Sequence, residues 1–119
     1  MTYLIKTIEV KLDEEHHAFL LHNVVEFSYS SKHYINLKNL NHAPACFCFE
    51  KNIFDSPNGV QRDNGDTCFD VPEMSSKLLR VVSSAKNSEV EFTVSLTLPE
   101  SEFLRNGSTS TTGKIKVND

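Results

Sequence analysis

The side chains in this sequence best suited to hold a metal or act as a nucleophile are three cysteines and five histidines. Cys46 and Cys48 are separated only by Phe47, so on a strand both thiols point to one face. Together with Cys68 and His42 they make four candidate soft ligands for zinc. Their spacing departs from the usual knuckles, where two to four residues lie between paired cysteines, and a buried cysteine needs no function beyond packing. The expectation is that the three thiols stay reduced and metal-free, with Phe47, Phe49 and Phe69 forming an interior around at least one of them. An odd cysteine count argues against a disulfide framework. Cys46 and Cys48 are too close along one strand to bond without distortion. Cys68 can reach either of them only if its strand pairs beside residues 45–49, and a third thiol is then left over.

The other constellations carry less chemistry. His16 and His17 are adjacent, and on a strand adjacent side chains point to opposite faces, so they do not chelate one ion in the ordinary way, with or without His22. Asp55, Asp63 and Asp66, with Asn58 and Asn64, match a calcium loop in composition only, because the Asp-x-Asp-x-Asp-Gly spacing and its distal Glu are missing. There is no Gly-x-Ser-x-Gly elbow and no glycine-rich phosphate loop after a strand. The reading is of a protein without catalytic, cofactor-binding or metal-binding residues, and so not an enzyme.

What must position these groups is a sheet. From residue 88 to 98, Val90, Phe92, Val94, Leu96 and Leu98 alternate with Glu91, Thr93, Ser95 and Thr97, which puts one apolar and one polar face on a long strand. Strands are expected at residues 3–12, 24–29, 33–37, 45–50 and 67–71, with Pro44 just ahead of the fourth, where its missing donor does no harm. Ser30, Ser31 and Lys32 read as the loop of a hairpin between the second and third. Residues 13–17 read as a turn. Residues 18–23 suit a short strand or a helix capped by Asp13, and the strand is preferred because so short a helix is marginal. Residues 55–66, with Pro57, Asn58-Gly59 and Asn64-Gly65, read as a mobile loop. Residues 73–86 predict a helix, with Leu78, Leu79, Val81, Val82 and Ala85 near 3.6-residue spacing and Ser75 or Ser76 as its cap. Beyond Pro99, residues 100–104 suit a single helical turn. Residues 106–113 read as a flexible loop or tail, and residues 114–117 as a last edge strand. The expected fold is therefore α+β: one domain over residues 1–105, a mostly antiparallel sheet forming a sandwich or partly open barrel, with one short helix packed on it.

The totals narrow the function. The chain has 119 residues, enough for one domain with a real core. A net charge of −4, with scattered Lys and Arg, gives no footprint for nucleic acid. No apolar run approaches the roughly 18 residues of a membrane span, and residues 1–7 lack the apolar centre of a secretory signal, so synthesis and folding in a cytoplasm are expected.

The order of elements resembles one family. An extended start over residues 7–12 is followed by Phe19-Leu20-Leu21-His22-Asn23, then a strand, a turn and an aromatic over residues 25–34, a polar loop, and strand-helix-strand from Cys68 to Leu98. This is similar to the small tail-tip adaptor domains of long-tailed bacteriophages, the lambda minor tail protein L type and its short relatives, over about residues 3–102. Ser30-Ser31-Lys32 stands where that family has a Gly in the turn, and its cysteine-rich, cluster-binding C-terminal part has no counterpart in this sequence. The resemblance implies a structural protein of the virion tail that joins the tail tube to the tip complex by contacts with other tail proteins in a symmetric assembly, without catalysis or a small-molecule ligand. The alternative function is a small acidic phage-encoded inhibitor of a host protein, although mimics of a phosphate backbone carry denser carboxylates than this.

Overall fold

The alternation at residues 88–98 becomes a ten-residue strand paired on both sides, which buries Val90, Phe92, Val94 and Leu96 and turns Glu91, Thr93 and Ser95 away from the core. A computed structural model of the chain describes residues 4–28, 33–55, 59–82, 85, 87–98 and 108–118. Ten strands follow in order: β1 (Leu4–Leu12), β2 (Ala18–Leu20), β3 (Val24–Ser28), β4 (His33–Asn39), β5 (Ala45–Phe49), β6 (Val60–Gln61), β7 (Thr67–Val71), β8 (Ser75–Arg80), β9 (Ser88–Thr97) and β10 (Ser108–Asn118). They form two mixed sheets, one ordered β2-β1-β4-β8 and the other β3-β10-β9-β5-β7-β6, and neither closes into a barrel. Each sheet holds one parallel pair, β1 with β4 and β3 with β10; the remaining pairs are antiparallel.

The apolar faces of both sheets feed one buried cluster. Ile8, Val10, Ile35, Leu37 and Leu79 come from the smaller sheet, and Phe47, Phe49, Phe69, Val90, Phe92, Val94, Leu96, Ile115 and Val117 from the larger. Phe49 lies at its aromatic centre, with ring centroids 4.8 Å from Phe54 and 5.2 Å from Phe92. The two sheets meet closely at Gly113 of β10. A Cβ there would stand 2.5 Å from Phe92 Cζ, 2.7 Å from Leu20 Cδ1 and 3.0 Å from the Asn23 carbonyl, so only glycine lets β2 and the start of β3 seat against β10. Lys114 N–H donates to that same Asn23 carbonyl at 2.9 Å. At the end of β4, fully buried Asn39 ties the sheets together: its amide donates to the carbonyls of Ala43, Val71 and Pro72, and its Oδ1 accepts from the backbone and side-chain N–H groups of Asn41.

Three expectations are corrected. The helix over residues 73–86 is not formed; no α-helix occurs among the described residues. Instead β8 pairs antiparallel with β4, Leu79 and Val81 alternate into the core, and Leu78 and Arg80 face outward. Ser75 starts a strand rather than capping a helix, because Met74 turns the chain with a φ of 55°. The α+β class thus gives way to an all-strand arrangement in the described residues. The hairpin across residues 30–32 is also absent as a pairing: β3 and β4 lie in different sheets, and the connecting residues lie outside the described ones. Finally, residues 108–113, expected as flexible loop or tail, run into residues 114–117 as one strand, and β10 sits between β3 and β9 rather than at an edge. Its threonines give it β-propensity that its polar, small-residue composition hides. The helical turn expected at residues 100–104 lies outside the described residues.

Candidate functional site

The residues with reactive chemistry meet on the outward face of the larger sheet. Along β5, Ala45, Phe47 and Phe49 point into the core, so the intervening Cys46 and Cys48 must point out. β7 pairs beside β5, with Cys48 directly opposite Cys68 and Cys46 opposite Asp70. The rows continue across the sheet: Thr93 of β9 flanks Cys48, Val60 of β6 flanks Cys68, and Ser95 flanks Cys46. Cys46, Cys48 and Cys68 therefore gather on one face, with their Sγ atoms all within 4.8 Å of one another.

This register corrects the expectation of three reduced thiols. Cys48 and Cys68, whose Cα atoms are 4.0 Å apart, are joined in a disulfide. The condition read from the sequence, that the strand of Cys68 pair beside residues 45–49, is met, and the left-over thiol is Cys46. Cys68 is buried, and Cys46 is half-buried. The free Cys46 Sγ lies 3.5 Å from Cys48 Sγ, and the Arg62 Nη2 donates to it at 3.7 Å. Burial first, then the charge of Asp70, push the Cys46 thiol above its ordinary pKa; Arg62 pulls the other way without cancelling them. At neutral pH this sulfur carries its proton and is a weak nucleophile.

The other candidate groups do not join this cluster. His42 is exposed in the connection before β5. His16 and His17 are exposed in the turn after β1, where Asp13 caps the backbone N–H groups of Glu15 and His17, each at 2.9 Å. Those bonds, that from His17 foremost, hold the Asp13 carboxyl below its usual range. His22 lines a groove between β1 and β3 with Ile5, Lys6, Thr7, Val24, Val25 and Glu26. Of the calcium-like loop, Asp55 lies 4.0 Å from Arg80, Asn64 bonds Asp66 within a tight turn closed by Gly65 at φ 94°, and Asp63 is exposed. Asn58 lies outside the described residues. Part of that expected mobile loop is ordered: Val60 and Gln61 form β6 on β7.

Beside the cysteine rows runs a groove lined by Cys48, Glu50, Asp66, Glu91 and Lys114, among others. Two of its carboxylates and its lysine are engaged: Glu50 Oε1 accepts from the Glu91 N–H at 3.0 Å, Asp66 Oδ2 accepts from the Asn64 amide at 3.2 Å, and Lys114 pairs at 2.7 Å with Glu89 outside the groove, whose carboxyl it holds below the usual range. Sequence reasoning missed Arg62 and Asp70 as neighbours of the thiols, because only the strand register brings them there. No helix among the described residues is long and apolar enough to cross a membrane. No protein-family model and no curated protein matches this chain.

Proposed function

We propose that the protein is a non-enzymatic assembly component, of the phage tail-tip adaptor kind, that binds other protein subunits through the open edges of its two sheets. The observation that supports this is the placing of exposed apolar side chains around β2 and β3. These two strands end the two sheets: among the described residues no strand pairs with the far side of β3, and the far side of β2 is met by the Thr109 hydroxyl, which accepts from the Ala18 N–H at 2.9 Å. Phe19 and Leu21 flank buried Leu20 and turn outward, with Leu21 52% exposed; Ile5 and Val24, 52% and 53% exposed, line the groove between β1 and β3. Unpaired strand edges beside apolar surface suit β-strand addition by a neighbouring subunit.

On this reading the chain is made in the host cytoplasm, resides in the virion tail and joins tube to tip through protein contacts in a symmetric assembly. The finer description of the fold, a sandwich, is supported by the buried cluster to which both sheets contribute. The test is to follow an epitope-tagged chain in a lysate and in purified particles by mass spectrometry. Recovery with virions, lost when Phe19 and Leu21 are both changed to Glu, is the expected result. Recovery only with a cytosolic host protein would overturn the tail assignment in favour of the inhibitor alternative.

A further inference from the structure

We infer that Cys46, Cys48, Cys68 and Asp70 form a zinc site when the Cys48–Cys68 bond is reduced, so that this face of the sheet alternates between a disulfide and a metal. The argument begins from ladder positions. Cys46 and Cys48 occupy alternate residues of β5, and Asp70 and Cys68 the two positions directly opposite on β7. Four donors thus stand at the corners of a two-by-two block on one face. A disulfide uses only two of them.

The distances suit a small tetrahedral ion. Zinc bound to thiolates at about 2.3 Å in tetrahedral geometry needs sulfurs about 3.8 Å apart. The three Sγ atoms lie within 4.8 Å of one another, and Cys46 and Cys48 are at 3.5 Å. Reduction frees the Cys48 and Cys68 side chains to rotate about their Cα–Cβ bonds toward that spacing. The donors sit on rigid elements, since β5 is paired on both sides, with β9 and β7. Three thiolates select a soft or borderline cation over calcium or magnesium. Three thiolates, one carboxylate and Zn²⁺ sum to −2, and the Arg62 guanidinium beside Cys46 offsets part of it. A groove of about 390 Å³ lined by Val60, Arg62, Asp63, Cys68 and Asp70 gives the ion its way in.

The chemistry balances with a small-molecule thiol as reductant. Two RSH molecules reduce the Cys48–Cys68 bond to two thiols and leave as RS–SR. Zn²⁺ then replaces the protons of Cys46, Cys48 and Cys68, which pass to solvent. In the reverse direction a small-molecule disulfide RS–SR oxidises the Cys48 and Cys68 thiolates to their disulfide and is itself reduced to two RS⁻, which take protons from solvent; Cys46 regains its proton and the ion is released.

The full chain, oxidised or reduced by excess thiol and desalted without air, is titrated with zinc against a chromophoric chelator. One zinc per reduced chain and none per oxidised chain is expected. Cys46→Ser, which leaves the Cys48–Cys68 pair intact, should weaken binding in the reduced chain by more than the roughly 10–100-fold typical of an outer-shell loss. Asp70→Asn should weaken it within that range. Independently of any variant, zinc should protect all three thiols of the reduced wild-type chain from alkylation, counted by mass spectrometry. A reduced chain that takes up no zinc, a Cys46→Ser chain that binds as tightly as wild type, or thiols that alkylate equally fast with and without zinc would each overturn the assignment.

Discussion

Removal of the Asn39 side chain should be felt strongly in this fold. It is fully buried at the end of β4, and its amide reaches the carbonyls of Ala43 at 2.8 Å, Val71 at 3.1 Å and Pro72 at 3.2 Å, while Oδ1 accepts from Asn41. Asn41 in turn donates to the Val10 carbonyl at 2.9 Å, so the Asn39–Asn41 pair links β1, β4 and the ends of β5 and β7. Asn39→Ala leaves the buried bonds to Ala43 and Val71 unmade, and each orphaned acceptor costs about 1–3 kcal/mol. The partners at Pro72 and Asn41 are only partly buried and recover water. Adding a small cavity, the loss comes to about 3–5 kcal/mol, a large share of the roughly 5–15 kcal/mol that holds a domain of this kind together. Asn36→Ala, on the outward face of the same strand, is the control and should lose less than about 1 kcal/mol. The assay is urea unfolding followed by far-UV circular dichroism and tyrosine fluorescence, since the chain has no tryptophan. If Asn39→Ala loses no more than Asn36→Ala, the bracket carries no stability and the reasoning fails.

Gly113→Ala should destabilise by about 1–2 kcal/mol, the overpacking against Phe92, Leu20 and the Asn23 carbonyl outweighing the gain from a stiffer unfolded chain; an unchanged urea midpoint would show that the two sheets can part there. Met74→Gly should raise stability by about 0.5–1 kcal/mol, because Met74 sits at φ 55° where a side chain is disfavoured, and a lowered midpoint would refute this. Burial, and then the charge of Lys6, hold the pKa of His33 below its ordinary 6.5. The unfolded chain therefore binds the proton more readily, so this contribution is complete above pH 6.5 and is lost as pH falls through the folded-state value. His33→Gln should flatten that part of the fall in melting temperature between pH 7.5 and 5, and an identical slope would remove His33 as its cause.

Most strands were legible because alternation is a local property: the buried positions of β4, β5 and β9 follow directly from residues such as Ile35 and Leu37, Phe47 and Phe49, Val90 and Phe92. Residues 73–86 were misread for a definite reason. Leu78, Leu79, Val81, Val82 and Ala85 fit a helical stripe, while Leu79 and Val81 alone fit a strand that lets Leu78 face solvent. Pairing with β4, which is not encoded nearby, decides between them. The break between β3 and β4 escaped notice because a strand alternates in the same way whichever sheet it joins. The cysteine cluster was half legible. That Cys46 and Cys48 share a face follows from their spacing, whereas the positions of Cys68, Asp70 and Arg62 beside them depend on a register set by the whole sheet.

The place of β10 has a consequence for the timing of synthesis. β3 spans residues 24–28, yet among the described residues its one partner strand is β10, at residues 108–118. A ribosome adding about 5–20 residues per second keeps β3 waiting for roughly 4–18 seconds before that partner is made. During this interval Val25 and Phe27, which end up buried, lack the strand that β3 pairs with, and the nascent chain carries an unpaired apolar ribbon. Chaperone occupancy on this chain should therefore begin early and fall only after β10 has emerged from the exit tunnel.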